Sequence, residues 1–236
     1  YANEKNTSAQ QKGTRFVQYT SADAAVSILR TRRVWMRNAS CMNDYSEMRY
    51  GLERVLEAYA SPAGQRFQNA LNSLHTGLTE ELKARFDPSA HWILSQTYVS
   101  CFSEHKDEED DHGRLSMWRA YGAQTDVALV MNNHPFVTPS DALNAWTTPV
   151  AYIRGVEVID QLDAIATALE SHAQLLGEIT RSDFLDAVFQ MLLFAAVSIK
   201  HIGFEEEREW RVVYLPLAYP SARLEEDHVV IGGVPQ

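Results

Sequence analysis

Apolar positions along the chain recur with two spacings, and the elements they predict alternate. "RFVQYT" alternates as a short strand. "SADAAVSILRTRR" follows with Ser21 as an N-cap, because its hydroxyl can accept from an orphan amide of the first turn. Ala25, Ile28 and Leu29 then share one helical face. "VWMRNAS" sets Val34 and Met36 against Trp35 and Arg37, which predicts a second strand. "NDYSEMRYGLERVLEAYA" opens a helix after a cap at Asn43 or Asp44. Residues 62 to 90 are helix-prone with breaks at Pro62 and Pro88, and a firm strand is expected at Tyr98 to Ser103.

The pattern then fails for ten positions. "EHKDEEDDHG", Glu104 to Gly113, has too little apolar content to pack and is expected to be a mobile, solvent-facing loop. "RLSMWRAYG" restores a short helix ended by Gly122, "DVALVMN" and "TTPVAYI" read as strands, and residues 157 to 200 look almost wholly helical. "EWRVVYLPL" alternates well, and "HVVIGGV" predicts a last strand. The expectation is one α+β domain over residues 15–236, with a mixed or antiparallel central sheet and helical insertions at about 52–92 and 157–200. Residues 1–14 are polar, lack an apolar leader segment and are expected to be frayed or disordered.

Composition narrows the functional classes. Lys and Arg total 21 against 31 Asp and Glu, a formal charge of −10, which opposes a broad phosphate-tracking surface and leaves room only for local basic grooves. The two cysteines, Cys41 and Cys101, show neither a CxxC nor a zinc spacing and suit a reducing cytoplasm. "FLDAVFQMLLFAAVSIK" carries Asp186 and Gln190, so a buried helix is expected rather than a span, and a cytoplasmic protein with no membrane partner. GxSxG, P-loop and GxGxxG motifs are absent, which removes the usual support for serine hydrolase, triphosphatase and Rossmann readings.

Three stretches carry candidate chemistry. In "FEEEREWRVVY" a strand from Glu207 to Tyr214 would place Glu207, Glu209, Arg211 and Val213 on one face, with Arg208, Trp210, Val212 and Tyr214 on the other. Two convergent carboxylates raise at least one pKa unless a cation or a substrate hydroxyl compensates. A solvated strand entry would show the same residues. "LSMWRAYG" offers Ser116, Trp118 and Tyr121 for stacking on and hydrogen bonding to a flat ring, or simply for packing. "VQYTS" ends a strand at a helix N-terminus, where free amides attract phosphate or ribose oxygens, although Ser21 can equally be a cap. The acidic loop holds every ligand type for a hard metal, but in an order unlike an EF-hand.

"FVQYTSADAAVSILRTRRVWMRNASCMNDYSEMRYG", "VSCFSE" with "LSMWRAYG", and "GFEEEREWRVVY", in that order, resemble the bacterial family catalogued as domain of unknown function 2971. Members of that family are associated with phage defence and abortive infection, and the motif order is similar to that of the ADP-ribosyltransferase superfamily. The resemblance implies an ADP-ribosyltransferase-type sheet and NAD as co-substrate, with no metal. Glu209 or Glu207 would be the catalytic carboxylate. Tyr19, Thr20, Ser21 and Asn43 would lie around the ribose, Ser116, Trp118 and Tyr121 around the nicotinamide, and Arg119 or Arg211 at the pyrophosphate. Tyr19 departs from the usual His or Arg of those enzymes. The acceptor would be a nucleic acid or a protein, and a partner protein of a defence system is a further expectation. Two other readings stay open: a non-catalytic module sensing a nucleotide or phage component, and a metal-dependent hydrolase or nuclease built on the acidic loop.

Overall fold

The structure, a computed structural model, describes residues 1–42, 45–121, 126–138, 140, 142–228, 230–231 and 234–235. Its strands are β1 (Arg15–Ser21), β2 (Arg37–Asn38), β3 (Tyr98–His105), β4 (Asp126–Met131), β5 (Ala145–Pro149), β6 (Ala151–Tyr152), β7 (Ile199–Lys200) and β8 (Glu209–Tyr214). Its helices are α1 (Ala2–Lys12), α2 (Ala22–Thr31), α3 (Tyr45–Ala60), α4 (Pro62–Leu74), α5 (Leu78–Ser95), α6 (Leu115–Tyr121), α7 (His134–Val137), α8 (Gly155–Ser171), α9 (Ala173–Leu176) and α10 (Arg181–Ser198). The fold is mixed α+β. Where the sequence predicts one domain, the chain divides into two compact units, residues 1–42, 96–151 and 203–236 in one and residues 43–95 and 152–202 in the other.

The first unit is built on an antiparallel sheet in the order β4-β1-β3-β8-β5, with β2 also paired to β3. Alternation along the strands gives two buried faces. On one, Phe16, Phe102 and Trp210 cluster with Ala9 of α1 and Phe136 of α7. Phe16 stands edge-on to Trp210 with ring centroids 5.0 Å apart, the offset geometry that aromatic quadrupoles favour. On the other face, Val17 and Tyr19 pack against Met117 of α6.

The expectation of a disordered residue 1–14 segment is therefore corrected. Ala9 is buried in the core, the Tyr1 hydroxyl donates to the Val150 carbonyl at 2.9 Å, and Lys5 pairs with Glu104 at 3.5 Å. Gly13 ends α1 in the left-handed region at φ 60°, where the absence of a Cβ removes the steric cost. A helix held by one small residue and side-chain tips leaves no apolar stripe to read. "VWMRNAS" is also corrected: only Arg37–Asn38 is strand, and residues 32 to 36 run outside helix and strand. The final strand expected in "HVVIGGV" is a short antiparallel pair, Val230–Ile231 with Val234–Pro235.

The second unit is helical, and both predicted insertions contribute to it. Phe67 and Leu71 of α4, Leu162 of α8, and Phe189 and Leu193 of α10 are buried, so the apolar face of each helix is covered. Pro62 stands in the first turn of α4 behind the cap Ser61, where its missing amide costs nothing. Pro88, expected as a break, lies inside α5. Lys200 is fully buried and pairs with Glu47 at 2.8 Å. Among the described residues no helix is long and apolar enough to cross a membrane.

Candidate functional site

The mouth of β8 differs from its expected form. Ile202–Glu207 is a 3-10 helix, Arg208 sits in the left-handed region at φ 46°, and the strand begins only at Glu209. Glu207 and Glu209 thus do not share a strand face. The left-handed step resets the alternation, because the period of two needs extended backbone on both sides. A non-glycine residue in that region carries strain of about 1 kcal/mol or more and is kept only where its surroundings hold it. Arg208 is held in place: its carbonyl accepts from the Glu104 amide at 2.9 Å, its amide donates to the Glu205 carbonyl at 3.2 Å, and its guanidinium pairs with Glu109.

Glu209 and Arg211 do share a face, and they are paired. The Arg211 Nε donates to Glu209 Oε1 at 2.7 Å, with the two residues only 1% and 5% exposed. Each charge of the pair offsets the cost of burying the other, and removing either would leave its partner uncompensated in low dielectric. Arg211 is accordingly the partner of Glu209 and not the surface clamp for a pyrophosphate that the sequence suggests.

Register then shows what lies beside this pair. Ser103 is opposite Glu209, Cys101 and Thr148 are opposite Arg211, and Val17 is opposite Ser103. Tyr19, two residues on from Val17, therefore lies on the same face as Glu209. Thr20 lies on the other face, so Tyr19 and Thr20 do not grip one ligand from the same side. Ser21 caps α2, its hydroxyl accepting from the Ala24 amide at 3.2 Å. Asn43 lies outside the described residues.

β1 also leaves β3 early. Their ladder runs from Arg15 opposite His105 to Val17 opposite Ser103, while Tyr19, Thr20 and Ser21 pair only with β4. On that edge β3 meets β2 at Tyr98 and Val99. Among the described residues no strand pairs with residues 100 to 102 on that edge, so the β1–β3 ladder ends next to Tyr19.

The acidic stretch is folded, contrary to the expectation of a mobile loop. Asp107–Glu109 forms a 3-10 turn, Arg15 pairs with Asp107 at 2.6 Å and Asp110 at 2.9 Å, and His105 Nε2 lies 2.9 Å from Asp110. Glu109 is its hub, accepting from Arg114 Nε at 3.2 Å and the Lys106 amide at 3.1 Å while also pairing with Arg208. Burial pushes the Glu109 carboxyl up, but the Arg114 and Lys106 hydrogen bonds and the charges of Arg114 and Arg208 outweigh it and hold it lowered to about 2. Arg15 and then His105 hold Asp110 below the usual carboxylate range. These carboxylates are engaged by cations, and among the described residues no group of three or more His, Cys, Asp or Glu is placed to hold a metal.

Arg114, which sequence patterns did not single out, ties the parts together. Its guanidinium donates to the carbonyls of Glu206 (2.6 Å), Glu207 (3.1 Å) and Glu104 (2.8 Å), and its amide donates to the Tyr19 hydroxyl at 2.8 Å. One residue thus links Tyr19 to the segment leading into Glu209. The signal available in sequence was an arginine directly after the acidic run. Gly113 makes this approach possible: its φ is +65°, and a Cβ there would meet Trp118 Nε1 at 2.7 Å and the Tyr19 hydroxyl at 3.1 Å.

α6 supplies the wall. Trp118 stands perpendicular to Tyr19 with centroids 4.7 Å apart, and its Nε1 donates to the His112 carbonyl at 2.8 Å. The Ser116 hydroxyl is buried with no hydrogen-bond partner among the described residues. Arg119 and Tyr121 are exposed on the outer side of the helix, so the structure groups Tyr19, Trp118, Glu209 and Arg211 on one sheet face and leaves those two out.

A family model described as "Protein of unknown function (DUF2971)" matches residues 117–212, from within α6 to within β8. The match supports the family that the motifs resemble. No curated protein and no solved structure matches the chain.

Proposed function

We propose that this chain is an NAD-consuming, ADP-ribosyltransferase-like enzyme, acting in bacterial anti-phage defence, with Glu209 as its catalytic carboxylate. The observation that carries the reading is the parting of β1 from β3 beside Tyr19, on the sheet face that also holds the oriented Glu209–Arg211 pair.

Glu209 would accept a hydrogen bond from a hydroxyl of the nicotinamide ribose and stabilise the oxocarbenium-like charge that develops as the C1′–N bond breaks. The bonding pair leaves with nicotinamide. Water or an acceptor hydroxyl or amine then adds to C1′ and releases a proton. Arg211 orients the Glu209 carboxylate through the Nε hydrogen bond, and the Tyr19–Trp118 pair forms an aromatic wall for a flat ring. The test is nicotinamide release from NAD together with NAD calorimetry. Glu209→Gln leaves the buried Arg211 without its counter-charge and is expected to lower stability; assayed at a temperature where circular dichroism shows it folded, it is expected to lose about 10²–10³ in turnover, the usual cost of removing one electrostatic stabiliser. An unchanged rate in that variant contradicts the proposal.

The burial of Glu209 and Arg211 favours a second reading, a non-catalytic module that binds a nucleotide through the same face. NAD binding by calorimetry without nicotinamide release would select it.

A further inference from the structure

The segment from Arg30 to Arg37, "RTRRVWMR", concentrates four arginines in a chain of net charge −10. The proposed chemistry uses none of it. Arg30, Arg32 and Arg33 are exposed, and Trp35 leaves 54% of its surface open. Arg32 closes α2 in the left-handed region at φ 56°, its amide donating to the Ile28 carbonyl, and this turns the chain out of the helix. From Val34 to Met36 the backbone joins no helix or strand. Val34 is also open, at 43%. A tryptophan left exposed between arginines, where alternation predicts a half-buried strand, asks for an occupant.

We propose that this segment is a docking surface for single-stranded nucleic acid, with Trp35 as the stacking platform for a base and Arg30, Arg32 and Arg33 as phosphate contacts. Charge complementarity selects an anion. The cations are all arginines, whose planar fork matches phosphate oxygens and stacks on bases, whereas a lysine ammonium acts as a point charge. An aromatic ring beside an arginine-lined backbone track is how sequence-tolerant single-strand binders work. An anionic membrane fits less well, because α2 has ten residues and presents only Val26 and Leu29 as large exposed apolar groups. A duplex would keep its bases from Trp35.

Glu225 already touches this surface, its carboxylate 2.8 Å from Arg33 Nη1 with both side chains about three-quarters exposed. A pair that exposed is weak and gives way to a phosphate. Were the Glu209 chemistry to hold, a strand bound here would be its acceptor, but binding is measured without NAD and stands or falls alone.

The test is fluorescence anisotropy of a labelled oligothymidine of about 16 nucleotides, with oligouridine, duplex DNA, an acidic peptide and phosphatidylserine vesicles as competitors. The expected result is salt-dependent binding that oligouridine displaces and duplex, peptide and vesicles do not. Trp35→Ala should weaken it about tenfold to a hundredfold, and Arg30→Gln with Arg33→Gln should lower the salt slope by about 0.7 per arginine removed. Glu225→Gln should tighten binding up to about fivefold. No binding at low salt, binding indifferent to both the Trp35 and arginine variants, or displacement by vesicles or peptide in preference to oligouridine overturns the proposal. Nicotinamide release with no oligonucleotide binding would overturn this proposal and leave the enzymatic one standing.

Discussion

Glu109 shows how one carboxylate can be worth more to this protein than its place in an acidic run suggests. Its pKa lies below the unfolded value, so it contributes stability that is fully present above about pH 4.5 and is lost as pH falls through about 2. Glu109→Gln should therefore lower stability by about 2 to 4 kcal/mol near neutrality, because Arg114 and Arg208 lose their shared counter-charge. The variant's melting temperature should also fall less steeply than the native one between pH 4.5 and pH 2, and parallel curves would contradict this account. Gly113→Ala puts a Cβ into the Trp118 and Tyr19 contacts at a positive φ. It should cost about 1 to 3 kcal/mol and shift the tryptophan emission, while an unshifted spectrum would show that the approach is not tight.

The acidic segment behaves as a tether joining β1, β3, α6 and the lead into β8, through Arg15, Arg114 and Arg208. Native-state hydrogen exchange should find the amides of Glu109, Asp110 and Gly113 protected, since each donates to a carbonyl within the turn. Arg114→Lys should release that protection, and exchange at the rate of a free peptide in the native chain would restore the mobile-loop expectation. Local patterns explain both the successes and the misses. Alternation in "EWRVVY" marked a strand, and Ser21 marked a helix start, because those signals lie within a few residues of the structure they describe. The tether was not legible in full, since Arg15 and Arg208 stand 92 and 99 positions from the carboxylates they hold. Glu207 was misassigned for a related reason: nothing in a period-two pattern announces a left-handed residue at Arg208.

Across the whole chain, the apolar runs revealed helices at 157–200, but the pairing of those helices with 43–95 as a separate unit depends on contacts between distant segments. The candidate site is legible only in part. Tyr19, Glu209 and Arg211 could be named from motif order, whereas their common face, and the end of the β1–β3 ladder beside them, follow from strand register. The central claim is that the face holding Glu209 cleaves NAD. Nicotinamide released from NAD by the native protein and by Glu209→Gln, measured side by side at a temperature where circular dichroism shows both folded, tests it most directly. Release by the native protein with a drop of about 10²–10³ in the variant is the predicted result. Equal release from both, or none from either, would contradict it.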